Sequence, residues 1–258
     1  MQKIAIQIAY EGTHYFGWQK QITTDKTIQG IIENAVSRIF GEPTSVQGSG
    51  RTDAGVHAMA QMAHFKVSQI PESLSFVKAI NSNLPKDIAV TDAWLVPEDF
   101  HAKSSVVNKT YLYKISNKQA PLGLYQQYST WIPRPLSIDN LNEITKPLIG
   151  KHDFASFQNS GTDVAHTIRE IFSAQWGLDK DGYITFKIKG GGFLKQMVRN
   201  IVGTTVDLAL EGQNSSQMEL VLASKDRRKA GKTAPPQGLY LKEVIYPDFL
   251  DRIGQKLL

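Results

Sequence analysis

Apolar positions along the first hundred residues switch between the period of a strand and the period of a helix. Ile4 to Tyr10 reads as a strand with one strongly apolar face, and an aromatic loop, Tyr15-Phe16-Gly17-Trp18-Gln19, follows it. Ile28, Ile31, Ile32, Ala35, Val36 and Ile39 keep the helical period, which predicts a helix from Ile28 to Phe40 capped by Thr27. A short strand near Thr44–Gln47 leads into a loop bounded by glycines. Ala63, Phe65 and Val67 then share one face of a strand from Met62 to Val67. Pro71 is placed to start a helix that runs to Asn81; Leu84-Pro85 stops it, and Ile88–Val96 is the next strand. The order is β-α-β-β-α-β, the ferredoxin-like split unit.

The second half repeats the pattern loosely. Lys109–Ser116 is a strand, and Ser137 caps a helix with Leu141, Ile144 and Leu148 on its apolar side. Ile168–Trp176 and Tyr183–Lys189 are strands joined by the turn Asp179-Lys180-Asp181-Gly182. A long helix is expected from Phe193 to Leu210, a shorter one over Gln217–Ala223, and a last strand over Gly238–Tyr246. The expectation is a mixed α/β (α+β) chain of two ferredoxin-like units with mainly antiparallel sheets. Residues 1–103 and 104–247 form the units, 248–258 a C-terminal tail, and a cleft lies between the halves. RNA-binding modules share this topology and stack bases on sheet aromatics, but the topology alone proves no function.

Composition narrows the function classes. At 258 residues with 41% hydrophobic content the chain has material for a sizeable core, which excludes a disordered protein. It has no cysteine, so disulfides, thiolate catalysis and cysteine metal sites are excluded and a reducing compartment suits it. The net charge of +5 and pI of 9.2 fit a polyanionic partner such as nucleic acid. Met1–Ile6 lacks the layout of a signal peptide, and no apolar run approaches the ~20 residues of a membrane span. A soluble cytoplasmic protein is the expectation.

The densest chemistry is Gly50-Arg51-Thr52-Asp53-Ala54-Gly55-Val56-His57. A carboxylate beside an arginine is kept ionised, and carboxylates serve as nucleophiles or bases; the alternative is a turn aspartate in a surface ion pair. Tyr111 and Tyr113 alternate on one strand face, where a ring can stack on a base or simply pack. Gly190-Gly191-Gly192 precedes the long helix, whose first amides can hold a phosphate. Lys195 and Arg199, four apart, then share a helix face, or else form a plain solvated one. Lys225-Asp226-Arg227-Arg228-Lys229 is a basic run suited to a phosphate backbone or to solvent. The six histidines are scattered with no paired spacing, and no G-x-S-x-G signal is present, so neither a metal site nor a serine triad is expected.

The Gly50–His57 run resembles the catalytic motif of the tRNA pseudouridine synthase A family. Tyr10-Glu11-Gly12, Phe16-Gly17-Trp18-Gln19 and Thr27-Ile28-Gln29-Gly30 resemble that family's opening. Asn83–Ile88, Asp99–Ala102, Lys109-Thr110-Tyr111, Phe193–Gly203 and Thr233–Leu239 follow in its order, so the resemblance spans residues 4 to about 247. It implies the pseudouridine synthase fold and isomerisation of uridine in the tRNA anticodon stem-loop, roughly at positions 38 to 40, on a nucleotide taken out of its stack. It implies no cofactor and no metal, and a homodimer with tRNA lying across both subunits. By the same resemblance Asp53 is the essential carboxylate (nucleophile), Tyr111 stacks on the uracil, Arg51 holds the flipped nucleotide and Arg199 partners Asp53. Lys103, Lys195, Arg227 and Arg228 are the further candidate RNA contacts. Glu11 replaces the usual Asp, Lys103 a common Arg, Lys195 a frequent His and His166 an expected Arg. Two rivals remain. One is a non-catalytic RNA-binding protein with two RRM-like units, indifferent to Asp53→Ala. The other is a glycosidase, which needs a second carboxylate near Asp53, a role for which Glu11 and Asp99 carry no spacing argument.

Overall fold

The computed structural model describes residues 1–71, 74–161, 164–247 and 255–257. Contacts group the chain into two compact units, Met1–Val107 with Leu241–Leu258, and Asn108–Tyr240. The first half contributes β1 (Gln2–Tyr10), α1 (Ile28–Phe40), β2 (Gln47–Gly48), β3 (His57–Val67), α2 (Phe76–Asn81) and β4 (Ile88–Val96). Then come β5 (Asn108–Ser116), β6 (Thr130–Trp131), α3 (Ile138–Thr145), β7 (Gly150–Asp153), β8 (Ile168–Leu178) and β9 (Ile184–Gly190). The chain closes with α4 (Met197–Leu210), α5 (Ser215–Ser224), β10 (Leu239–Ile245) and β11 (Gln255–Lys256). Among the described residues no helix is long and apolar enough to cross a membrane.

In the first unit β1 lies antiparallel between β3 and β4, and β2 extends β3. Ile4, Ile6 and Ile8 share one face of β1 and are fully buried, and Phe65, opposite Ile4, stacks on Phe76 of α2 at 6.4 Å. α1 buries Ile28, Ile32, Ala35 and Val36; Thr27 accepts from the Gly30 amide at 3.3 Å, and Gly41 ends the helix at φ 68°. The opposite face of β1 is covered as well, because Ala5, Met62, Val96, Phe100, Ala102 and Tyr246 form a second apolar cluster. The second face of β1 is thus buried at Lys3 and Ala5 and half-buried at Gln7 and Ala9.

In the second unit β5, β9, β8 and β7 form an antiparallel sheet, and β6 adds a short parallel pair to β5. The unit buries Leu141, Ile144, Phe154, Phe157, Ile188 and Ile201, and Trp176 stacks on Phe186 at 4.5 Å. Asn142 of α3 clamps the Trp176 backbone, accepting from its amide at 2.8 Å and donating to its carbonyl at 3.1 Å. β6 and β7 have no counterpart in the hydrophobic pattern; at two and four residues they are too short to carry an alternation.

Several boundaries differ from expectation; β3, for one, starts at His57 rather than Met62. The contact division falls after Val107 rather than at 103, and the chain returns to the first unit within β10. Val107 N–H donates to the Ile245 carbonyl at 2.8 Å, Tyr246 Oη donates to the Ala102 carbonyl at 2.6 Å, and β11 pairs with β4. Of the expected tail, 248–254 and 258 lie outside the described residues. Pro71 does not open α2: its carbonyl accepts from the Leu74 amide, and the helix starts at Phe76. The long helix starts at Met197, not Phe193, because Gln196 takes a left-handed conformation (φ 59°, ψ 9°) that no helix passes through.

Candidate active site

The loop between β2 and β3 carries Asp53 and is pinned along its whole length. Ser49 is fully buried, its amide donating to Met62 O at 2.7 Å and its hydroxyl to Gln61 Oε1 at 2.6 Å; Gln61 returns a bond to Gly50 O at 2.9 Å. Thr52 is buried, with its hydroxyl 2.8 Å from Tyr10 Oη and its carbonyl accepting from Trp18 N at 3.1 Å. Burial pushes the Tyr10 phenol up, so it stays protonated. Asp53 O accepts from Val56 N at 3.1 Å, and Gly55 N donates to Tyr15 O at 3.3 Å. At the loop's end the buried His57 accepts from the Gly12 amide through Nδ1 at 3.0 Å.

The aromatic loop approaches so closely that side chains are excluded at two positions. A Cβ on Gly12 would stand 2.0 Å from Val56 O; one on Gly17, at φ 86°, would stand 2.5 Å from Thr52 O. The backbone of Thr52–Ala54 is therefore packed directly against Gly17, and the Asp53 side chain is half-buried. Arg51, two residues earlier, is exposed and donates Nε to Gln19 Oε1 at 3.1 Å. Among the described residues it forms no ion pair with Asp53, so the simple Arg–Asp pair is set aside.

In the second unit the two tyrosines of β5 separate in role. Tyr113 is 1% exposed, hydrogen-bonded to Thr130 Oγ1 and donating to Pro235 O at 2.8 Å. Burial pushes its phenol up, with a smaller opposing pull from the Arg199 charge. Tyr111 meets Phe193 edge-to-face at 5.0 Å. Arg199, half-buried on α4, donates Nε to Ala234 O at 2.7 Å, while its own carbonyl accepts from Ala234 N at 3.1 Å.

The remaining cations fall into two kinds. Lys103, Lys195 and Arg228 are exposed. Lys195 lies outside α4 and donates to Ser160 O at 2.8 Å, so it does not share a helix face with Arg199; Gln196 turns the chain between them. The same turn separates Gly190–Gly192 from the first helical amides, which removes the expected glycine-and-helix phosphate cradle. Arg228 forks onto Asp226, donating Nε at 3.0 Å and Nη2 at 2.8 Å. Arg227 is different: all five of its donors are used by Asn159, Asn200, Thr233 and two backbone carbonyls. A direct phosphate contact from Arg227 would displace one of them. Of the carboxylates a glycosidase would need, Glu11 accepts from Thr13 N at 3.0 Å and Asp99 is exposed.

Asn159, Asn200, Thr233 and Ala234 went unread as site residues. Asn200 follows Arg199 and Thr233-Ala234 opens the Thr-Ala-Pro-Pro run, yet nothing in periodicity joins segments so distant in the chain.

A family model described as tRNA pseudouridine synthase matches residues 6–103 and 144–247. Over 253 residues the chain is 46% identical to tRNA pseudouridine synthase A of Bdellovibrio bacteriovorus, covering 96% of this chain and 97% of that protein. It is 42% identical to the protein of the same name in Caldicellulosiruptor bescii (95% and 100% covered) and 41% identical to that of Chlamydia felis (96% and 92%).

Proposed function

The chain belongs to the tRNA pseudouridine synthase family, and on that premise we propose that it acts on uridine in the anticodon stem-loop of tRNA, with Asp53 as its essential carboxylate. The observation that carries the assignment to Asp53 is the build of its loop: buried and hydrogen-bonded residues on either side hold one half-buried carboxylate in place. Such a group acts without a reorganisation cost at the moment of reaction.

The isomerisation breaks the C1′–N1 bond, turns the uracil, and joins C1′ to C5. C5 loses a proton and N1 gains one, so composition is unchanged and no oxidant or reductant is needed. A carboxylate has three ways to help: attack at C1′, attack at C6, or removal of a ribose proton. Taking the nucleotide out of its stack costs a few kcal/mol. Stacking on Tyr111 returns about 1–3 kcal/mol. Arg51, exposed beside Asp53, holds the flipped nucleotide; Arg199 is the cationic partner of the reacting groups, suited to it by its rigid planar fork. Lys103, Lys195 and Arg228 contact phosphates. The family resemblance supports a cytoplasmic homodimer.

The test is incubation with unmodified tRNA transcripts and mapping of pseudouridine. The wild type yields product in the anticodon stem-loop, and Asp53→Ala yields none. Equal product from Asp53→Ala removes Asp53 from the reaction. RNA binding without product from either protein favours the non-catalytic RNA-binding reading.

A further inference from the structure

The geometry points to Arg227 as a positioning residue that sets Arg199 through the backbone of residues 230–234. This rests on the reading of Arg199 as a residue of the reaction. Arg227 sits in a short turn after Asp226 and reaches three segments of the second unit at once. Its Nε donates to Asn159 Oδ1 at 2.9 Å, its Nη1 to Gly231 O at 3.0 Å and Ala230 O at 3.3 Å, and its Nη2 to Thr233 Oγ1 at 2.9 Å and Asn200 Oδ1 at 3.0 Å.

Asn200 is the centre of this arrangement. It is fully buried, one residue beyond Arg199 on α4. Its Nδ2 donates to Phe157 O at 2.8 Å and Asn159 Oδ1 at 2.9 Å; its Oδ1 accepts from Arg227 and from Thr233 Oγ1 at 2.7 Å. Asn159 in turn donates to the side chain of Gln196, the left-handed residue that begins α4. A polar cluster so fully satisfied has one arrangement, because each displaced partner would leave a buried polar group unpaired.

From this clamp the 231–234 segment runs along α4. Gly231 N donates to Thr204 Oγ1 at 2.9 Å, Lys232 N to Asp207 Oδ2 at 3.0 Å and Ala234 N to Arg199 O at 3.1 Å. A Cβ on Gly203 would lie 1.7 Å from Lys232 O, so the segment lies directly on the helix. It ends with the Ala234 carbonyl 2.7 Å from Arg199 Nε and the Pro235 carbonyl 2.8 Å from Tyr113 Oη. The loop thus delivers one acceptor to Arg199 and one to the strand that carries Tyr111. Removing Arg227 frees the Ala230 and Gly231 carbonyls and leaves Asn200 Oδ1 with Thr233 as its remaining donor, which loosens the backbone that places the Ala234 carbonyl.

A double-mutant cycle on pseudouridine formation tests this, using Arg227→Ala, Arg199→Lys and their combination. Arg227→Ala should lower kcat about 10- to 100-fold and move KM less than about threefold, a misplacement effect rather than lost binding. In the Arg199→Lys background the same change should cost less than about threefold. Thr233→Val, which removes the hydroxyl's two bonds (to Arg227 and Asn200) but keeps the other Arg227 bonds, should give a smaller kcat loss and serves if Arg227→Ala does not fold. Full and independent losses in the cycle overturn the proposal, as does a rise in KM alone or a fall in melting temperature with kcat unchanged. Wild-type turnover in Arg199→Lys removes the reading of Arg199 itself, and the proposal with it.

Discussion

The Asp53 loop of the first unit and the Arg199 region of the second are fixed by different means. Around Asp53 much of the work is done by main chain: the backbone of Ser49, Thr52, Asp53 and Gly55 meets that of Met62, Trp18, Val56 and Tyr15, glycines permit the approach, and Gln61, Tyr10 and His57 add side-chain bonds outside Asp53 itself. Around Arg199 it is done by side chains, with Arg227, Asn159, Asn200 and Thr233 joining three segments. A main-chain cradle can lose the side chain it presents and keep its shape. A side-chain clamp loosens when one member is removed, because the buried Asn200 at its centre and its half-buried partners each lose a bond. Substitutions in the two regions should therefore separate activity from stability differently.

The largest effect is expected at Asp53. Asp53→Asn keeps the loop's main-chain bonds, so turnover should fall about 1,000-fold or more while the melting temperature stays within about 2 °C. A variant that unfolds instead would show that the carboxylate, not the backbone, holds the loop. Tyr111 is next. Tyr111→Ala should lower kcat/KM by about 5- to 150-fold, the equivalent of one lost stacking interaction, and Tyr111→Phe should recover most of it. Normal turnover in Tyr111→Ala makes Tyr111 a packing residue like Tyr113.

The glycines test the cradle itself. Gly17→Ala meets Thr52 O and a positive φ together, and should cost about 2–4 kcal/mol in chemical denaturation. Gly41→Ala, at φ 68° with nothing within 4 Å, should cost about 1 kcal/mol and leave turnover unchanged. Similar costs at both positions would mean that the close approach at Gly17 is not rigid. A pH dependence in the first unit tests its burial rather than its activity. His64 accepts from Ala102 N through Nδ1 at 3.1 Å. Burial, then the nearby His101 and Lys3, pull its pKa from 6.5 to about 4. The unfolded chain takes up that proton below pH 6.5 while the folded chain does not. Stability is therefore full above pH 6.5 and falls as pH drops through the window to about 4. His64→Gln should flatten the change in denaturant midpoint between pH 7 and 4.5; an unchanged slope assigns it to other groups.

Much of this was legible in the sequence because it is local. α1 and β4 run over the residues their periodicity and caps predicted, since Thr27 and the apolar face of α1 act within one helix. The Asp53 loop stood out because its arginine, aspartate and glycines are contiguous. The start of α4 was misplaced because Phe193–Gln196 continues the apolar pattern with no proline or cap to stop it; the left-handed turn comes with tertiary bonds from Asn159 to Gln196 and to the Lys195 carbonyl. Arg227 looked like one cation in an exposed run. Its neighbour Arg228 is indeed exposed, so charge patterning could not tell the two apart.

By itself the sequence determined the alternation of strands and helices, the two-unit plan and the ordered motifs that identify the family, because these depend on neighbours a few residues apart. Tertiary structure alone decided that a second apolar cluster covers Ala5 on the other face of β1 and that the last strand leads back to the first unit. It also decided that Tyr113 packs while Arg227 clamps. Each of those outcomes depends on which distant groups satisfy a buried polar atom or cover an apolar one, and no local period encodes that choice.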